Sequence, residues 1–167
     1  ANVVASPVSD GSLVYAGSSY EKQAMLAIRI DGAMGDISGT DQFAWKRARR
    51  TPYVPSPLLH GEHLYFHSHY QNVLCRVHAR TGEEKNSPFR LPGIGDVYAS
   101  PVAAAGRIYI TDLEGNTLVL GAGDGSPEFL ALNRLNDSFS ASAALSGEEI
   151  LLRGEQHLYC IVESPDS

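Results

Sequence analysis

Apolar residues in this chain come in short runs that return in pairs. Leu13-Val14-Tyr15-Ala16, His63-Leu64-Tyr65-Phe66, Arg107-Ile108-Tyr109-Ile110 and Glu149-Ile150-Leu151-Leu152 each follow a glycine, namely Gly11, Gly61, Gly106 and Gly147. A polar turn then leads to a second run: Met25-Leu26-Ala27-Ile28, Leu74-Cys75-Arg76-Val77, Thr117-Leu118-Val119-Leu120 and Leu158-Tyr159-Cys160-Ile161. Runs this short, rich in β-branched and aromatic residues and bounded by Gly, Ser, Asp and Pro, are strands, and helical spacing is nearly absent. Ahead of each glycine stands one motif, Ala5-Ser6-Pro7-Val8, Pro55-Ser56-Pro57-Leu58, Ala99-Ser100-Pro101-Val102 and Ala141-Ser142-Ala143-Ala144. The glycines recur every 41 to 50 residues. That period, with strand, turn, strand, turn as its unit, predicts an all-β propeller of about four four-stranded blades.

The repeats run approximately over 1–50, 51–95, 96–136 and 137–167. The first is lengthened by an insertion around Gly32 to Gly39, which ends in the run Phe43-Ala44-Trp45. Phe89 and Phe129 mark the corresponding outer strands of the second and third repeats. The fourth ends soon after Ile161 and has no room for an outer strand.

The succession Ser-Pro-Val, Gly, Val-Tyr, Leu-x-Ala-Leu, Ala-x-Thr-Gly-Glu and Trp resembles the pyrroloquinoline-quinone-type (PQQ-like) propeller repeat. The likeness covers nearly the whole chain and extends to secreted bacterial PQQ-like propellers, to PQQ-dependent alcohol dehydrogenases and to BamB-type outer-membrane assembly lipoproteins. It implies a ring of seven or eight blades, of which this chain supplies part or half, and an extracytoplasmic setting, periplasmic or secreted. The dehydrogenases hold their quinone with an adjacent cysteine pair and a carboxylate-bound calcium ion. Cys75 and Cys160 are not adjacent, so no cofactor is expected on this chain.

The charge balance narrows the partners. A net charge of −6 argues against a duplex-binding surface, whose affinity rests on Lys and Arg neutralising phosphates. No apolar stretch has the length of a bilayer span. Both cysteines fall in second runs at adjacent alignment positions, which predicts two small buried thiols rather than a disulfide.

Candidate chemistry is sparse. Five of the six histidines, His60, His63, His67, His69 and His78, lie in the second repeat. Alternation puts His63, Tyr65, His67 and His69 on one side of an extended segment, which makes His63, His67 and His69 the candidate metal ligands. A zinc site normally needs three protein ligands, and no carboxylate or cysteine stands at ligand spacing, so packing and turn roles are favoured. Lys46-Arg47-Ala48-Arg49-Arg50 reads as a solvated, charge-protected sheet edge. Asp112, Glu114 and Asn116 alternate through a turn and lack the ligand count of a calcium loop. Asn136-Asp137-Ser138 fits a glycosylation acceptor. No Gly-x-Ser-x-Gly elbow, His-Glu-x-x-His helix or paired-cysteine zinc spacing occurs.

Repeats without catalytic residues point to a non-enzymatic scaffold that binds a protein or extracellular ligand. The alternative is a portion of a PQQ- or metal-dependent enzyme whose cofactor site lies largely elsewhere. The expected binding surface is the set of turns at one rim, including Tyr20, Glu21, Tyr70, Gln71, Asp112, Glu114 and Asn116. An open arc of four blades leaves two apolar faces bare. The missing amino-terminal half of a longer protein, or a second copy in a homodimer, is expected to cover them.

Overall fold

The computed structural model describes residues 3–68, 72–84, 86–123, 125 and 127–163. Fifteen strands among them form four antiparallel sheets, each a meander with its strands in chain order. Sheet 1 contains β1 (Val8–Ser9), β2 (Leu13–Ser18), β3 (Ala24–Arg29) and β4 (Phe43–Arg47). Sheet 2 contains β5 (Leu58–His60), β6 (His63–His67), β7 (Val73–His78) and β8 (Phe89–Arg90). Sheet 3 contains β9 (Val102–Ala104), β10 (Arg107–Thr111), β11 (Asn116–Gly121) and β12 (Glu128–Arg134). Sheet 4 has three strands among the described residues, β13 (Ala144–Ser146), β14 (Glu149–Arg153) and β15 (Leu158–Ile161). No described helix is long and apolar enough to cross a membrane.

The register makes the repeat quantitative. Tyr15 pairs with Ala27, Tyr65 with Arg76, Tyr109 with Val119 and Leu151 with Cys160, so these four pairs are equivalent. The pairing of β3 with β4 shifts after Ala27, and that of β11 with β12 shifts after Val119, so one bulge recurs at one repeat position.

The chain divides into two compact units, residues 1–90 and 91–167. In the first, sheets 1 and 2 enclose one core. Sheet 1 contributes Tyr15, Met25 and Ala27, and sheet 2 contributes Leu64, Phe66, Cys75 and Val77. Alternation assigns these residues to single faces, the trailing face of sheet 1 and the leading face of sheet 2. The second unit repeats the step: Tyr109, Thr117 and Val119 on the trailing face of sheet 3 and Ile150, Leu152 and Ile161 on the leading face of sheet 4 line a cleft of about 340 Å³.

The Ser of each repeat motif ties neighbouring sheets at their inner strands. Ser6 N–H donates to Ser56 Oγ at 2.9 Å, and Ser100 N–H donates to Ser142 Oγ at 2.9 Å. Outer contacts differ more. Trp45 on β4 leaves its own sheet to meet the turn after β7, where its Nε1–H donates to the Ala79 carbonyl at 2.6 Å. Gly82 in that turn has φ +71°, and a Cβ there would stand 2.8 Å from the indole. Only glycine satisfies both conditions at once.

Three sequence expectations change. The basic run is not simply a solvated edge, since Arg47 and Arg50 converge on Glu84 of the second repeat at 3.3 and 3.0 Å. Cys160 is exposed rather than buried, whereas Cys75 is buried. Burial, with the Glu84 charge adding to it, raises the Cys75 thiol to about 11. Asp112 is fully buried, so it belongs to the scaffold rather than to an exposed loop.

Candidate functional site

In the second unit, the hairpin turns of sheets 3 and 4 and the connection from β12 to β13 form a polar cleft of about 390 Å³. Two aspartates build its frame. Asp112, at the end of β10, accepts hydrogen bonds at Oδ1 from the amides of Glu114 (3.0 Å) and Asn116 (2.8 Å). Its Oδ2 accepts from Gly95 N–H at 2.8 Å and from Asn116 Nδ2 at 2.9 Å. This carboxylate folds the turn back on itself and ties it to the preceding connection.

Sheet 4 fills the same place from the opposite side. Asp137, which aligns with Gly95, accepts from the amides of Ser138 (2.8 Å), Gln156 (3.2 Å) and His157 (3.0 Å) and from the Tyr159 hydroxyl (3.3 Å). The residue aligned with Asp112 is Gly154, where a Cβ would strike the Asp137 carboxylate. Carboxylate and glycine have exchanged places across one contact. Burial pushes the Asp137 carboxyl up, but the three amides and the Tyr159 hydroxyl outweigh it and hold the group at about 2. Burial, then the Asp137 charge, raises Tyr159.

With both aspartates committed to the backbone, the groups left at the cleft are Glu114, Glu155, Arg134, Asn136 and Gln156, all exposed. Of the expected loop residues, Glu114 lines this cleft, while Asn116 turns its amide onto Asp112. Arg134, Glu155 and Gln156 carried no motif. The signal that points to them is the exchange of Gly95 and Asp112 for Asp137 and Gly154 between aligned repeats.

The hairpin turn of sheet 1 holds Tyr20 and Glu21, the latter at φ +62°. Tyr20 is 45% exposed and stacks on Tyr53, with ring centroids 6.0 Å apart and 16° between planes. Tyr70, Gln71 and His69 lie outside the described residues.

The histidines gather differently from the expectation. His63 and His67 share a face of β6 but lie four residues apart, about 13 Å along an extended strand, too far to share one ion. Register instead sets His60, His63 and His78 side by side across β5, β6 and β7. His63 meets His78 edge to face with centroids 5.9 Å apart. Among the described residues, no three His, Cys, Asp or Glu side chains gather closely enough to hold a metal. The quinone and calcium of the dehydrogenases do not fit either, because the two cysteines belong to different sheets and the cleft aspartates already accept backbone hydrogens.

No family model and no curated protein matches the sequence. Solved structures match in fold. BamB from Moraxella catarrhalis superposes with a TM-score of 0.69 at 14% identity, over 96% of this chain and 46% of its own. The computationally designed Ika4 protein gives 0.64 at 9% identity, over 98% of this chain and 92% of its own. A europium-containing methanol dehydrogenase gives 0.52 at 12% identity, over 75% of this chain and 24% of its own. The chain thus has a PQQ-like β-propeller fold and spans about half the length of BamB.

Proposed function

We propose that this propeller scaffold is non-enzymatic and binds a protein partner at the hairpin rim of its second unit. The observation that carries the reading is the division of labour in the cleft. Asp112 and Asp137 spend their oxygens on the turns, which fixes the backbone, while Glu114, Glu155, Arg134, Asn136 and Gln156 remain on the surface. A rigid frame presenting charged and amide side chains suits recognition of a polar protein segment, because little ordering remains to oppose binding. Two glutamates against one arginine, on a chain of net charge −6, select a basic segment. An extracytoplasmic setting accompanies this reading through the sequence resemblance.

Selection of displayed peptides on the immobilised chain tests it. Enrichment of Lys- and Arg-bearing peptides whose binding is lost in the variant Glu114→Lys/Glu155→Lys supports the reading. Failure to enrich any peptide, or binders indifferent to both substitutions, contradicts it. Stoichiometric uptake of pyrroloquinoline quinone with calcium would favour the enzyme alternative instead.

A further inference from the structure

Sheets 1 and 3 correspond residue for residue, and they differ most on the trailing face. In sheet 1, Met25 pairs with Arg47 and Ala27 with Trp45; at the same places in sheet 3, Thr117 pairs with Asn133 and Val119 with Ala131. Met25 and Tyr15 are 0% exposed, and the Trp45 ring packs with its centroid 6.1 Å from that of Tyr15. The Arg47 guanidinium lies 5.7 Å from the Phe66 ring of sheet 2. Tyr15, Met25 and Trp45 thus pack into the core of the first unit. In the second unit a threonine, an alanine and an asparagine stand where the first has methionine, tryptophan and arginine. Tyr109 and Thr117, the counterparts of Tyr15 and Met25, are accordingly only partly buried. The cleft of about 340 Å³ between sheets 3 and 4 is what this exchange of large side chains for small ones produces.

We propose that this cleft binds a small uncharged aromatic molecule of one or two rings, which takes the place that the Trp45 ring and the Met25 side chain fill in the first unit. Val119, Ile150, Leu152 and Ile161 supply aliphatic walls, and Tyr109 adds an aromatic one. Such walls favour a flat apolar body, and the volume lies at the small end of the range for ligand pockets. The polar groups are few and neutral. The Thr117 hydroxyl shares a hydrogen bond with that of Thr111 at 2.9 Å, and the Asn133 amide is exposed beside it. Tyr15 donates its hydroxyl to Asp10, but Ala104 occupies the corresponding place beside Tyr109, so no carboxylate claims the Tyr109 hydroxyl there. Asn133 and Tyr109 are therefore the groups that meet an N–H or O–H on the ligand's edge. Alternation assigns Arg134, the next residue of β12, to the opposite face of the sheet, which is why the ligand is uncharged.

Titration of the chain with indole, followed by amide and methyl chemical shifts, tests the proposal. Saturable binding at one site is expected, with a dissociation constant on the order of 0.1–1 mM for so small a ligand. The shifts concentrate on Tyr109, Thr117, Val119, Asn133, Ile150 and Leu152. The double variant Thr117→Met/Ala131→Trp rebuilds the wall of sheet 1 and is expected to weaken indole binding roughly tenfold or more, with a raised melting temperature. Thr117→Met alone serves if the double variant fails to fold, and it too is expected to weaken binding. Absence of saturable binding would overturn the proposal, and so would indole binding that is indifferent to both variants or shifts that fall outside the cleft. Benzoate bound more tightly than indole would overturn it as well, since the cleft would then select a charge.

Discussion

The indole of Trp45 and the carbonyl of Ala79 are 2.6 Å apart from donor to acceptor, although 34 residues separate them in sequence. This bond fastens the outer strand of sheet 1 to the turn of sheet 2, and the ring also lies against Tyr15 with centroids 6.1 Å apart. Trp45→Phe keeps the ring but leaves the carbonyl without its donor, at an expected cost of about 1–3 kcal/mol. Gly82→Ala places a methyl against the indole at φ +71° and is expected to cost more than about 1 kcal/mol. Denaturant unfolding of both variants measures these losses.

Glu84 receives Arg47 and Arg50 together, with side chains of Glu84 and Arg47 only 14% and 11% exposed. Glu84→Gln leaves two cations facing one another without an anion. After allowance for solvent screening of Arg50, a loss of about 1–2 kcal/mol is expected, weakening further at high salt in the native chain. Thermal melts across a salt series read it.

Exchange of carboxylate and glycine between Asp137/Gly154 and Gly95/Asp112 allows a reciprocal test. Asp137→Gly removes the acceptor of three amides, and Gly154→Asp drives a side chain into Asp137. The double variant Asp137→Gly/Gly154→Asp recreates the arrangement of sheet 3. It is expected to be more stable than either single variant, a favourable coupling visible in a double-mutant cycle.

Asp10 and Asp137 set the acid limit. The Leu13 amide, outweighing burial together with the Ser12 and Tyr15 donors, holds Asp10 at about 2, and Asp137 lies at about 2 as well. Both are depressed from the ordinary 3.8, so the stability they confer is complete above about pH 4 and disappears as pH falls through about 2. Melting temperature is expected to drop across that window and to drop less steeply in Asp10→Asn and Asp137→Asn. Equal slopes in all three proteins would contradict the assignment.

Much of the fold was legible because its signals are local and repeated. Gly before an apolar run, Tyr at a fixed place in β2, β6 and β10, and Trp45 in an outer strand all report on their own repeat. The Ser-Pro motif also marked the sheet-to-sheet tie of Ser6 with Ser56, although repetition alone did not reveal the bond. Alternation correctly put Cys160 and Leu158 in a strand, but a strand's face parity carries no information on whether a neighbour covers it. Glu84 with its two arginines was hidden for another reason. Its partners come from a different repeat, where charge spacing predicts nothing. The cleft was hidden by distance within one repeat, since Asp137 serves a turn 19 or 20 residues away.

The most direct test of the binding reading is hydrogen exchange of the chain with and without a selected basic peptide, resolved by peptide segment. Protection confined to the turns at 112–116 and 154–157 and to the connection at 134–138 is the expected result. Binding with protection spread over the exposed face of sheet 4, or with no protection at the hairpin turns, would contradict the placement of the site.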